Sequence, residues 1–165
     1  MSAVLSECGT YRYALWREWM TGEGTCLFVM LNPSTADASE DDPTIRRCIG
    51  FAQRWGYGRL AVANLFAFRA TEPNALLSAT DPVGPENEHW LGQLFDDASL
   101  VIAAWGASVR PVAAHRECEV IAKCRMFGVR LDCLGLTKEN LPRHPLYIAG
   151  ATEPVPFCES IGAAA

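Results

Sequence analysis

Three places in this sequence put a polar or aromatic group at the end of an apolar run, and each could do chemistry. The run CLFVMLN (26–32) ends in Asn32, followed by Pro33 and Ser34. Asn64 lies within RLAVANLFAF (59–68), and SLVIAAW (99–105) ends in Trp105 before Gly106. A side-chain amide presents a donor and an acceptor side by side, which is the pattern needed to read a nucleobase edge. Asparagine also caps strand ends and ties loops together, so spacing alone leaves both roles open. Other reaction classes lose ground, because the chain has no GxGxxG, GxxxxGK[ST], GxSxG or HExxH.

The elements that must position these residues follow from periodicity. Residues 11–19 read as a mixed, aromatic strand, and TGEG (21–24) as a turn. The near-continuous apolar run at 26–32 has the signature of a buried central strand. Asp42 is a natural N-cap with Pro43 at the first helical position, and Ile45, Cys48, Ile49, Ala52 and Trp55 recur at helical spacing over 43–55. Further strands are expected at 59–68, 99–105 and 129–135, with helices at about 86–97 and 111–127 and an irregular, proline-rich tail from 136. Strands alternating with helices predict a single α/β domain over 1–165, a three-layer α/β/α arrangement with a mostly parallel central sheet. Ligands in such sheets bind beyond the carboxyl ends of the strands, where the residues named above fall.

Composition narrows the setting. The chain has 165 residues, half of them hydrophobic, with a formal charge of −5. No apolar run approaches the roughly 20 residues of a membrane span, and the opening residues lack the order of a signal peptide, so a cytoplasmic location is expected. The seven cysteines are odd in number and scattered without a CxxC pair, which predicts reduced, mostly buried thiols. His115, Cys118 and Glu119 share a helical face, but no metal and no cofactor is expected. The acidic balance argues against a long duplex footprint and for weak non-specific DNA binding at most, although Arg46, Arg47, Arg54 and Arg59 could form a local basic patch.

Four segments resemble a known superfamily. FVMLNPS (28–34) resembles the first motif of the uracil-DNA glycosylase superfamily, in particular its mismatch-specific branch. VANLFAFRA (62–70) is similar to its second strand, VIAAWGAS (101–108) to its Trp-Gly strand end, and RHPLYI (143–148) to its late His-Pro motif. The whole chain also looks like a bacterial family of unknown function marked by LNPSTAD, DPT, RWGYG and NLFAFRAT. The superfamily resemblance implies an N-glycosidase fold and reaction. Asn32 would position the attacking water, Asn64 would pair with the base, and His144 would donate to the base oxygen. Phe66 or Phe51 would stack on the ring, while Pro33, Ser34, Arg69, Trp105 and Gly106 would line the site. Asp37, Asp41 and Asp42 are alternative water activators. Ser34 and Thr35 stand where uracil-specific relatives carry a bulky tyrosine, which implies tolerance of 5-substituted pyrimidines unless Trp55 or Tyr57 closes that space.

The chain departs from that pattern in having Asn32 where many members carry Asp, and Leu146 and Tyr147 where a serine-rich grip on DNA is usual. A free nucleoside, a nucleotide or another small base-like substrate is therefore a serious rival to DNA. A non-catalytic binder of nucleotides or modified nucleic acid, or an enzyme of other chemistry in the same cleft, remains an alternative.

Overall fold

The computed structural model describes residues 2–34, 36 and 39–157. Its organising element is the strand β3 (Thr25–Met30), TCLFVM, in which every residue is buried. Such a strand needs cover on both faces, and its side chains alternate accordingly. Leu27 and Val29 join one apolar cluster, while Cys26, Phe28 and Met30 join the other.

Two strands precede it, β1 (Ser2–Leu5) and β2 (Arg12–Glu18). Helix α1 (Pro43–Arg54) follows, then β4 (Arg59–Asn64), α2 (Asn87–Asp97), β5 (Leu100–Ala103), α3 (Arg110–Met126), β6 (Leu131–Cys133) and β7 (Val155–Pro156). The α1 helix starts where its sequence dictates. Asp42 Oδ1 accepts from the Ile45 amide at 2.8 Å, and Pro43 occupies the first turn. Ile45, Cys48, Phe51 and Ala52 cover the Phe28 face of the sheet, and α2 and α3 cover the Val29 face.

The seven strands form one sheet in the order β1-β2-β4-β3-β5-β6-β7. The α/β class stands, but the sheet is mixed rather than mostly parallel. The pairs β3/β4, β3/β5 and β5/β6 are parallel, whereas β1/β2, β2/β4 and β6/β7 are antiparallel. The short connection between β1 and β2 permits only an antiparallel pair, and the returning tail adds β7 in the same sense. Neither edge strand was expected. β1 is four residues long, and β7 contains Pro156, which is tolerated at an edge.

No helix among the described residues is long and apolar enough to cross a membrane. Cys26, Cys48, Cys124 and Cys133 are buried, Cys8 and Cys118 are exposed, and Cys158 lies outside the described residues. His115 Nε2 meets Glu119 at 3.1 Å on an exposed helix face. No cluster of three metal-ligating side chains occurs among the described residues.

Candidate functional site

Register decides which side chains can meet. In the parallel pairs Met30 lies beside Asn64, and Val29 beside Ala103. The residues that follow these strands therefore emerge on the same edge of the sheet. There they border a cleft of about 560 Å³, within the usual range for small-molecule sites. The N-terminus of α1 and the segment 143–148 supply the other walls.

The cleft gathers Asn32, Ser34, Asn64, Trp105, Gly106 and His144, six residues drawn from four separate stretches of chain. Asn64 is 1% exposed, and neither Nδ2 nor Oδ1 has a hydrogen-bond partner among the described residues. A buried amide without hydrogen bonds costs about 1–3 kcal/mol, so evolution rarely leaves one idle. Trp105 is also buried, with Nε1 unpartnered and its ring held edge-on by Phe157 at 5.6 Å. Two donors and one acceptor therefore belong to buried side chains that line one cleft.

The backbone beneath Asn64 is fixed by a buried network. Fully buried Asn87, from the start of α2, donates to the carbonyls of Asn64 and Leu65, both at 3.1 Å. Arg116, from α3, donates its Nε to the same Leu65 carbonyl at 2.8 Å. Arg116 is itself held by Glu119 at 2.9 Å and Glu88 at 2.5 Å. Burial alone would raise the Glu88 carboxyl, but Lys123 and Arg116 outweigh it and hold the group below its ordinary value. Sequence reasoning missed both positioning residues. Asn87 looks like a helix cap, and nothing in the pattern of α3 marks Arg116 as buried.

Asn32 commits its amide hydrogens to backbone, donating to Ala70 at 2.8 Å and Pro33 at 3.1 Å. Its Oδ1 is left as the acceptor it can offer the cleft. His144 is half-buried and accepts from the Leu146 amide at Nδ1, 3.3 Å away, so the neutral ring carries its proton on Nε2. Desolvation lowers the His144 pKa from 6.5, opposed by the nearby Asp42 carboxylate. The ring is thus a neutral donor at physiological pH. Gly106, at φ +73, adopts a left-handed conformation and donates to the Pro142 carbonyl at 3.1 Å, which ties the end of β5 to the His144 segment.

Other expected residues sit elsewhere. Phe66 is buried in the core beside Leu65 and Leu76, and Phe51 in the opposite core, so neither offers a ring to the cleft. Arg69 reaches away to the Gly9 carbonyl at 3.2 Å. Buried Pro33 acts through its carbonyl, which accepts from the amide of Ala70 at 2.9 Å. Asp41 is paired with Arg17 at 2.7 Å, and Asp42, though it lines the cleft, caps α1. Asp37 and Thr35 lie outside the described residues. Trp55 and Tyr57 pack against the α1-side core. Arg12, buried in β2, lines the cleft and donates to the Ala36 carbonyl. A lone arginine within the run YRYALW was the available signal for it.

No curated protein and no solved structure matches the chain. The likeness to the uracil-DNA glycosylase superfamily is overturned, because a different family matches across most of the sequence. Three of the four segments behind that likeness are strand ends, where Asn-Pro and Trp-Gly pairs suit any sheet that must turn its chain out of the core. The fourth, RHPLYI, is a proline-led turn well past the end of β6. The match covers residues 12–146, and the chain belongs to the family described as protein of unknown function (DUF1643).

Proposed function

We propose that the cleft binds a nucleobase-type heterocycle by its amide edge and hydrolyses the N-glycosidic bond that joins it to a sugar. The observation that carries this reading is the unpartnered amide of Asn64, buried on the cleft wall. A lactam edge presents the complementary acceptor and donor, and would repay the desolvation that the protein already bears. Trp105 Nε1 supplies a further donor for a ring oxygen.

The chemistry needs a held water and a stabilised leaving group. Asn32 Oδ1 accepts from the water, whose oxygen forms the new bond to the anomeric carbon. The carbon–nitrogen bond breaks with its electron pair passing to the base, and the water's proton is released to solvent or to the base. Negative charge then grows on the base, facing the N–H groups of Asn64, Trp105 and His144. Removing one such donor typically costs about 10²–10³ in rate. A neutral His144 suits this role, since it donates without carrying a charge into the resting cleft.

A second reading is binding without turnover. Among the described residues that line the cleft, Asp42 is the only carboxylate, and capping α1 occupies it. Mass spectrometry of bases released from a panel of nucleosides, nucleotides and oligonucleotides, alongside calorimetry on the same compounds, separates the two. Release that is lost in Asn32→Ala and His144→Ala supports hydrolysis. Binding without release leaves the binder. Neither binding nor release of any base-containing compound overturns both readings.

A further inference from the structure

Helix α1 carries exposed Arg46 and Arg54, half-buried Arg47 and no acidic residue, in a chain whose formal charge is −5. Among the described residues, Arg69, Arg125 and Arg143 also pair with no carboxylate, but they stand apart from one another in the chain. Most of the other arginines are neutralised. Arg17, Arg110, Arg116 and Arg130 each meet a carboxylate, and Arg59 sits at the far end of β4 between Glu18 and Asp97. Among the described residues no carboxylate pairs with Arg46, Arg47 or Arg54. Instead they border a groove of about 240 Å³ floored by Gly50 and Gly150, positions with no side chain to fill it.

The groove adjoins the cleft. Arg47 donates to the carbonyl of Ile148, whose side chain lines the cleft, and packs its guanidinium 5.2 Å over the Phe51 ring. Trp55 Nε1 donates to Thr152 at 3.2 Å, fastening the same helix to the same segment. Tyr147, 82% exposed, stands at the cleft rim. The α1 helix spreads its guanidiniums over eight residue steps from Arg46 to Arg54, about 12 Å of axis, which is more than one phosphate needs.

We propose that this groove holds consecutive phosphates of a single-stranded polynucleotide whose base occupies the cleft, the seated base resting on the function proposed above. Asn64 is too deeply buried to reach a stacked base, so a paired base would first have to leave its helix, at a cost of a few kcal/mol. The overall acidity disfavours the wide footprint of a duplex.

The test is fluorescence anisotropy of a short labelled abasic single strand, titrated with the full-length protein at several salt concentrations. Abasic DNA reports on the groove without calling on the cleft. Three phosphate contacts predict a log–log salt slope of about −2, or a loss of about 16-fold in affinity between 50 and 200 mM salt. Arg46→Gln/Arg54→Gln should bring the slope to about −0.7. Gly50→Glu, built into open space, should weaken binding, and Gly50→Ala should not. Circular dichroism melts confirm that each variant is folded. An unchanged slope in Arg46→Gln/Arg54→Gln overturns the groove. Inorganic phosphate binding as tightly as the strand overturns the strand as its ligand. Equal binding of base-bearing and abasic strands overturns the seated base, while a slope lost in the arginine variant still supports the groove.

Discussion

Asn64→Leu should move stability and binding in opposite directions. The two side chains have the same number of heavy atoms and the same branching, so the exchange removes polarity with little change of shape. The amide is desolvated with no partner among the described residues, a penalty of about 1–3 kcal/mol for a buried polar group. Removing it should raise Tm, at about 2–4 °C per kcal/mol for a chain of this length, by about 2–12 °C. Binding should suffer. Two neutral hydrogen bonds to the ligand, each worth about 0.5–1.5 kcal/mol net, amount to about 1–3 kcal/mol, or a 5- to 150-fold weaker Kd. Differential scanning calorimetry of both proteins gives the first number, and isothermal titration with a base-containing ligand gives the second. A Tm that falls by several degrees would show that Asn64 is bonded within the fold and does structural work, and the reasoning would be refuted.

Three further perturbations test the framework around it. Asn87→Ala leaves the Asn64 and Leu65 carbonyls without their α2 donor, so it should cost about 1–3 kcal/mol and weaken base binding although Asn87 does not line the cleft; intact binding would show that α2 does not position Asn64. Gly106→Ala forces a side chain into a left-handed backbone at about 1–2 kcal/mol, which a denaturant melt will show as a lower midpoint. The folded-state pKa of His144 lies below its ordinary value of 6.5, so the unfolded chain takes up the proton first as pH falls. The stability due to neutral burial is fully present above 6.5 and is lost as pH drops through the lowered folded value. Between about pH 7.5 and about pH 5 wild type should therefore lose more stability than His144→Gln, and parallel pH profiles would count against a buried ring.

What could be read from sequence was what local chemistry fixes. Asp42-Pro43 and the spacing of Ile45, Cys48 and Ala52 placed α1 to within a residue. The run at 26–32 foretold a strand buried on both faces, and β3 is one. The meeting of Asn32, Asn64 and Trp105 in one cleft followed from the rule that parallel strands expose their carboxyl ends together, whereas His144 reaches it on the segment 143–148, well past the end of β6. What was illegible is non-local. Phe66 follows Asn64 by two residues, but the chain has left β4 and turned the ring into the core. The buried positions of Arg116 and Asn87 depend on where α2 and α3 land against Leu65, which no periodicity encodes. The antiparallel edges depend on β1 and β7, too short to leave a pattern. The superfamily resemblance failed for a related reason: a few residues at strand ends record the demands of a turn as readily as they record ancestry.

The strand order has a mechanical consequence. β1 and β7 occupy opposite edges of the sheet, separated by six strand spacings, about 29 Å. Handles attached at Ser2 and Val155 would pull across the strands, along the direction of their hydrogen bonds. Bonds loaded that way part a few at a time, where bonds in a sheared pair must break together. The two-residue ladder of β7 should peel first, followed by β6 with its three-residue pairing to β5. Tension on this protein would thus unzip it from one edge at low force, and the inner pairs β4/β3 and β3/β5, whose ends border the cleft, would be the last of that edge to open.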